Sequence, residues 1–427
     1  MLGGSFLGDA RDRLLPAAIP FRFFAAAAVF YVLAWAVLLA ASDLPDFTGG
    51  LGPVLAAIHL LTLGVLAMVA MGASFQLLPV ATRQPLARTW PASLCFWLLS
   101  GGTVLLAFGM AEGASLAMNS GAISVTIALL IFATLTADNL RRARGLPVVA
   151  AHGWVALIAL LGVVGLGLAL SFDFQHGFLA DHQAMALLHM LLALFGFMGV
   201  LALGFSLILV PMFALSQTPP PRLGGLQLAL AFLALIFVTG AVLSGIAWLF
   251  WPGIAAAMAA TGIYLWQMQH VLKSGMRKRL GLSFRLIRTS WVTLPIAWLL
   301  GLVILLDLPF PNAPVGFGFV VLVGWLLTFL LGVLQRIIPF LASMHIVDEN
   351  GQPVLMSDLT PELPLQVHAG LHGVAVLLCL AGIFLQSGVL VQIGAAAGLT
   401  GALAYAGFVI SVSLRVFNAT GSKSANG

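Results

Sequence analysis

Residues 53–79 read PVLAAIHLLTLGVLAMVAMGASFQLLP and contain no charged side chain. An apolar stretch of more than about 20 residues is long enough to cross the hydrocarbon core of a bilayer as a helix. The strands of a membrane β-barrel are much shorter, and in lipid only helices and closed barrels satisfy every backbone hydrogen bond. The stretch therefore predicts a membrane-spanning helix.

The composition extends this prediction to the whole chain. Hydrophobic residues make up 61% of the 427 residues, charged residues make up 7%, and the mean hydropathy is +1.11. Soluble domains carry about 25% charged residues, so one soluble core is excluded. We predict an all-α integral membrane protein with twelve spans, forming one membrane domain over 1–417 and followed by a disordered tail at 418–427. The predicted spans are 21–41, 53–79, 91–111, 117–137, 148–171, 184–212, 223–248, 252–271, 287–307, 315–341, 366–386 and 389–413.

The charges segregate by side of the membrane. If the N-terminus is cytoplasmic, all 18 Lys and Arg residues fall at inner segments. This agrees with the positive-inside rule and predicts a multi-pass protein of a bacterial inner membrane with both termini in the cytoplasm. The net charge of +5 is then a signal of topology, and nucleic-acid binding is not expected. The charged residues of the outer segments are acids only, namely Asp43, Asp46, Glu112, Asp173, Asp181 and Asp307.

One spacing recurs three times along the chain: Gly, seven residues, Gly, six residues, Pro. The three prolines lie 132 and 128 residues apart, which predicts three four-helix repeats at about 15–145, 146–280 and 281–417. Small residues let helices approach closely in lipid, and Pro is expected to end or kink each helix at its inner end. The pattern residues are Gly64, Gly72 and Pro79 in span 2, Gly196, Gly204 and Pro211 in span 6, and Gly324, Gly332 and Pro339 in span 10.

Twelve spans in three four-helix arcs, with spans 2, 6 and 10 innermost, resemble subunit I of the haem–copper oxidases. In the C-type oxidases the haem-carrying helix has His-x-His, with the first Gly of the pattern five residues after the second His. His59 occupies the second of these positions in span 2, and His189 occupies the first in span 6. The opening PFRFF at 20–24 also resembles the NnrS family, oxidase-like membrane proteins linked to haem, copper and nitric oxide. The resemblance implies a haem b cofactor, with copper as a further possibility.

The chain departs from the oxidases where they hold copper. Span 7 has no histidine, and span 10 has Phe317 and Phe319 at the two ligand positions. We therefore expect a non-catalytic haem-binding relative, acting in nitric oxide response, electron transfer or respiratory-complex maturation, with respiratory or nitrosative-stress proteins as partners. An active terminal oxidase or nitric oxide reductase subunit is one alternative. A copper or small-solute transporter is another, although the near absence of charge at the midplane argues against ion-coupled transport of a polar substrate.

The two histidine positions differ by two residues, so they point about 200° apart around a helix. In the ring of three inner helices that the resemblance implies, His59 turns toward span 6 and His189 turns back toward span 2. We expect them to hold a six-coordinate haem b between them. His182, with Asp173 and Asp181, would lie near the haem edge and hold its propionates, or would form an ordinary solvated helix start. For His59 and His189 the alternative is a hydrogen bond between helices.

A second candidate metal site lies at the inner side. His368 and His372 are four residues apart and share a helix face, and His345 precedes them in the previous inner segment. Together they could bind a divalent metal. The alternative is an ordinary cytoplasmic loop, in which such residues are common. The acids near these histidines are Asp348, Glu349, Asp358 and Glu362.

Overall fold

The computed structural model describes residues 15–41, 43–86, 88–346 and 354–425, with side chains described as far as residue 419. Within these ranges the chain forms helices and no strand, and twelve helices are long and apolar enough to cross a membrane. The predicted all-α membrane fold is confirmed. The twelve spans are Ala18–Ala40, Pro53–Thr82, Trp90–Glu112, Ser115–Arg141, Pro147–His176, His182–Ala214, Pro221–Ser244, Ala247–Ser274, Gly281–Leu305, Ala313–His345, Glu362–Phe384 and Gly388–Ala419. The backbone of the last helix continues to Ala425, and so includes residues that the sequence assigned to a tail.

The spans close into a ring around three central helices. Span 4 contacts span 5, span 8 contacts span 9, and span 12 returns to contact span 1. At least 67% of the most apolar window of spans 2, 6 and 10 is buried, against at most 50% in the other nine spans. The three helices with the Gly–Gly–Pro spacing are therefore the innermost. That the three four-helix units superpose by rotation stays a prediction.

The second glycine of each pattern lies against the first span of its own unit. A Cβ atom at any of these glycines would overlap its neighbour, because real Cβ contacts are not shorter than about 3 Å. The spacing therefore corresponds to a close helix approach, which is how helices pack in lipid. The distances from such a Cβ are 2.7 Å to Phe23 Cβ for Gly72, 2.6 Å to His152 Cβ for Gly204 and 2.8 Å to the Ser283 carbonyl oxygen for Gly332.

Each inner span also contains an eight-residue π-helical segment, which the sequence did not predict. The segments are Leu60–Ala67, Leu192–Gly199 and Val320–Leu327, and each begins four residues before the first glycine of its pattern. π-Helix is rare and occurs frequently at functional sites. The segment of span 10 contacts those of spans 2 and 6, so the three irregular stretches meet at the centre of the bundle.

The prolines of the pattern lie inside their helices. Spans 2 and 6 end three residues after Pro79 and Pro211, with Arg83 and Leu215 in the left-handed conformation. Span 10 instead continues for six residues beyond Pro339. Pro therefore marks the helix end in two units but not in the third.

Candidate functional site

The imidazole rings of His59 and His189 are neighbours between spans 2 and 6. Their centroids lie 6.5 Å apart and their planes are within 18° of parallel. His59 is the last residue before the π segment of span 2, and His189 precedes that of span 6 by three residues. Both side chains are half-buried. The structure thus brings together the two residues that the sequence singled out.

Hydrogen bonds fix the tautomer of each ring. His59 Nδ1 lies 3.0 Å from the carbonyl oxygen of Leu55, and His189 Nδ1 lies 3.1 Å from that of Val163. A carbonyl oxygen only accepts, so each Nδ1 carries the proton and each Nε2 keeps its lone pair. Nδ1 is the only ring nitrogen of either histidine that forms a hydrogen bond within the described part of the chain. A backbone carbonyl on Nδ1 is the usual support for a metal-binding histidine.

The spacing of the rings suits one metal ion between them. A metal–imidazole bond is about 2 Å long, and a ring nitrogen lies about 1.1 Å from the ring centre. Two imidazoles whose Nε2 atoms bind one ion from opposite sides therefore have centroids about 6.2 Å apart. The observed 6.5 Å is close to this value and too long for direct face-to-face stacking. The inter-helix hydrogen bond considered as the alternative is present for His189, whose Nδ1 bonds to the Val163 carbonyl of span 5. His59 instead bonds to the Leu55 carbonyl of its own helix.

The two histidines line a large, mainly apolar cavity. Its volume is about 1280 Å³, somewhat above the roughly 300–1,000 Å³ of ordinary ligand pockets. Gly167 of span 5 also lines it, and a Cβ atom there would lie 3.0 Å from Cε1 of His189. The missing side chain at Gly167 therefore leaves the room that the His189 ring occupies. Span 5 contains several glycines, and nothing in the sequence distinguishes Gly167 from the others.

His182 lies at the rim of the same cavity, paired with an acid. Its Nδ1 is 2.7 Å from Asp173 Oδ2, and the other Asp173 oxygen accepts from the Leu179 backbone N–H at 2.6 Å. Asp181 caps span 6 by accepting from the Ala184 N–H. The helix-start interpretation therefore holds for Asp181, while Asp173 orients His182 at the cavity rim.

The corresponding surface between spans 6 and 10 is aromatic. Phe195 of span 6 lies against Phe317, Trp298 and Trp325, with ring centroids 6.2, 5.1 and 5.7 Å away and planes within 30° of parallel. Phe319, the second residue at a ligand position, also lines the cavity. Span 7 carries no histidine. These side chains supply no imidazole for a second metal at this place.

The three histidines of the expected inner metal site do not come together as a group. Over the described ranges, no cluster of three or more His, Cys, Asp or Glu side chains could hold a metal ion. His372 instead uses both ring nitrogens in hydrogen bonds, and His368 is packed beside it without His345. The reason is tertiary: spans 1 and 10 surround the pair with Tyr31 and Thr328. Of the expected acids, Asp348 and Glu349 lie outside the described residues.

In comparisons with known proteins, no protein-family profile matches this chain and no curated protein is similar to it.

Proposed function

We propose that this chain is a membrane haem protein that holds one haem b between spans 2 and 6, with His59 and His189 as the two axial ligands. The observation that carries the proposal is the pair of neighbouring rings, 6.5 Å apart, whose Nδ1 atoms donate to carbonyls and whose Nε2 atoms keep their lone pairs. A haem is flat and largely apolar, which suits the lining of the surrounding cavity. The two proposed ligands come from different predicted repeats, His59 from the first and His189 from the second.

The surrounding residues have distinct roles in this proposal. Leu55 and Val163 hold the tautomer and orientation of the ligands through their carbonyls. Gly167 leaves space for the His189 ring. His182 donates its Nδ1–H to Asp173, so as an imidazolium it would place a positively charged Nε2–H at the rim, where propionate groups would lie. A bound haem supplies one-electron chemistry, with a potential set by the axial ligands and the polarity around it.

The proposal favours a non-catalytic role. His59 and His189 would both be used to hold the iron, and Phe317 and Phe319 stand at the ligand positions of span 10. Electron transfer, nitric oxide response and respiratory-complex maturation are roles that need no open coordination site beside a second metal. We propose a location in the inner membrane of a bacterium, with both termini cytoplasmic and with respiratory or nitrosative-stress proteins as partners. The lipid bilayer is the environment that the twelve spans indicate.

A copper-binding function is the second candidate, and one observation favours it. Met190 and Met198 line the same cavity as His59 and His189. Thioether and imidazole ligands together suit Cu(I). Copper transport or storage would then replace haem chemistry at the same two histidines.

A visible spectrum and a metal analysis of the purified protein distinguish these functions. We expect a low-spin haem b spectrum, about one haem per chain, and no turnover of oxygen or nitric oxide. Stoichiometric copper without a haem spectrum would favour the second candidate. Steady oxygen or nitric oxide reduction by the purified chain would contradict the non-catalytic assignment.

A further inference from the structure

A cluster of polar aromatic residues is buried where span 1 meets spans 11 and 12, and none of its members lines the cavity of His59 and His189. It consists of Tyr31, His368, His372 and Tyr405, each at most 2% exposed. Tyr31 and Tyr405 lie 6.1 Å apart by ring centroids, and Tyr405 lies 4.8 Å from His368. Polar groups are costly inside a membrane protein and are usually paired there. The hydrogen-bond partners of this cluster therefore indicate what it binds.

Half of the cluster forms a directed chain of hydrogen bonds. The Thr328 hydroxyl donates to the Val323 carbonyl at 2.7 Å, so its oxygen accepts from His372 Nε2 at 2.8 Å. His372 Nδ1 is then unprotonated and accepts from the Tyr31 hydroxyl at 3.1 Å. Each donor has one acceptor, and the chain ends at a backbone carbonyl of the π segment in span 10. This half of the cluster is satisfied by the protein itself.

The other half is not satisfied by the protein. Both ring nitrogens of His368 and the hydroxyl of Tyr405 are buried and have no hydrogen-bond partner in the described ranges. A neutral imidazole needs one acceptor and one donor, and a phenol needs at least an acceptor. The groups without a partner therefore belong to two neighbouring side chains, His368 and Tyr405. His368 lies six residues after Glu362, where span 11 begins.

The chemistry of these groups selects the ligand. A metal ion would need more than one free imidazole, and both nitrogens of His372 are already occupied. An anion would need a positive charge, and the cluster contains no Lys or Arg. Water both donates and accepts, and buried water typically makes two to four such bonds to otherwise unpaired groups. We propose that this junction is a hydration site, in which water bonds to His368 and Tyr405 and continues the polar chain from Tyr31 and His372.

The three tyrosines of the chain provide an internal comparison for a test. Tyr264 is as buried as Tyr405, but its hydroxyl is paired with Ser206 at 3.0 Å and with Trp291 Nε1 at 2.9 Å. X-ray radiolysis converts bound water to hydroxyl radicals, which oxidise the nearest side chains. In the purified full-length protein we expect Tyr405 to be oxidised at several times the rate of Tyr264. Equal protection of the two residues would overturn the proposal.

Two variants separate hydration from a dry, unpaired cluster. His368→Phe should reduce the oxidation of Tyr405 toward that of Tyr264 and lower the melting temperature, because the Tyr405 hydroxyl loses its bridging water. If that variant does not fold, Tyr405→Phe removes a single oxygen and should likewise slow oxidation of His368 and lower the melting temperature. Tyr264→Phe should leave the oxidation of Tyr405 unchanged. A raised melting temperature, or an unchanged oxidation rate, would show that the cluster is dry.

Elemental analysis tests whether the ligand is a metal ion instead of water. If the wild-type protein contains a transition metal that only His368→Phe loses, the ligand is that metal and the proposal is overturned. Metal content that does not depend on His368 supports it.

Discussion

His59 and His189 belong to different inner helices, yet their rings lie 6.5 Å apart with nearly parallel planes. Each stands at a different offset from the first glycine of its own helix, five residues for His59 and seven for His189. The two offsets point to opposite flanks of a helix, so neighbouring helices in a ring can present them to the same space. One pocket between two units then receives both side chains, and the aromatic surface between spans 6 and 10 receives none.

Gly332 tests the close approach of the inner helix to the first span of its unit. A Cβ atom there would meet the Ser283 carbonyl oxygen at 2.8 Å and Ile287 Cγ1 at 2.9 Å. We expect Gly332→Ala to destabilise the fold by about 1–3 kcal/mol, as overpacking does, and to lower the melting temperature measured in detergent. Gly262 lies inside span 8 with open space around it and does not line the cavity, so Gly262→Ala should be neutral or slightly stabilising. Equal effects of the two substitutions would contradict the packing argument.

Gly167 tests whether the position of the His189 ring matters for the site. A Cβ atom at Gly167 would lie 3.0 Å from Cε1 of His189, whereas Gly165 on the same helix faces open space. We expect Gly167→Ala to displace the ring and to shift the electron paramagnetic resonance signal of the low-spin haem. Gly165→Ala should leave the signal as in the wild type. An unshifted signal in both variants would show that the ring is not confined by span 5.

Asp173 tests the rim of the cavity. It accepts from His182 and from the Leu179 backbone N–H, and hydrogen bonds to a charged group are stronger than neutral ones by about 1 kcal/mol. Asp173→Asn should therefore speed haem transfer to apomyoglobin several-fold while the absorption maxima stay in place. Asp43→Asn, at an exposed acid, serves as the control. Unchanged transfer rates would remove His182 and Asp173 from the proposed site.

The orientation in the membrane can be read from two introduced cysteines. Both native cysteines are buried. A background with Cys95→Ala and Cys379→Ala contains no native thiol and should not react with a maleimide. Glu112 is exposed at the end of span 3, and Arg279 is exposed in the loop between spans 8 and 9, at the opposite end of the bundle. We expect Glu112→Cys to react with an impermeant maleimide on intact spheroplasts and Arg279→Cys to react only after lysis. The reverse pattern would place the termini outside.

The sequence was sufficient to predict those features of the fold that follow from composition and from the repeated Gly–Gly–Pro spacing. The twelve spans follow from apolar length, and the close packing of Gly72 and Gly332 follows from the repeated spacing. The π segments could not be predicted, because i to i+5 bonding depends on how the inner helices pack and has no residue signature. The helix of span 10 likewise continues past Pro339, although the same spacing ends spans 2 and 6.

At the two histidine sites, the sequence indicated which side chains to consider but not which residues they hydrogen-bond to. His59 and His189 were paired from their offsets together with the arrangement of the inner helices that the resemblance to the oxidases implies. The partners of His372 lie in spans 1 and 10, and no local pattern connects Tyr31 with Thr328. For that reason the inner histidines were predicted as a metal group with His345, which the structure does not form. Gly167 was missed because its role depends on a ring from another span.

The most direct test of a haem between His59 and His189 is the visible spectrum of single alanine variants. We expect His59→Ala and His189→Ala each to lose the low-spin haem b spectrum or convert it to a high-spin one. His176→Ala should keep the wild-type spectrum, because that exposed side chain bonds only to the carbonyl of its own helix at Phe172. A low-spin spectrum that persists unaltered in both His59→Ala and His189→Ala would contradict the account.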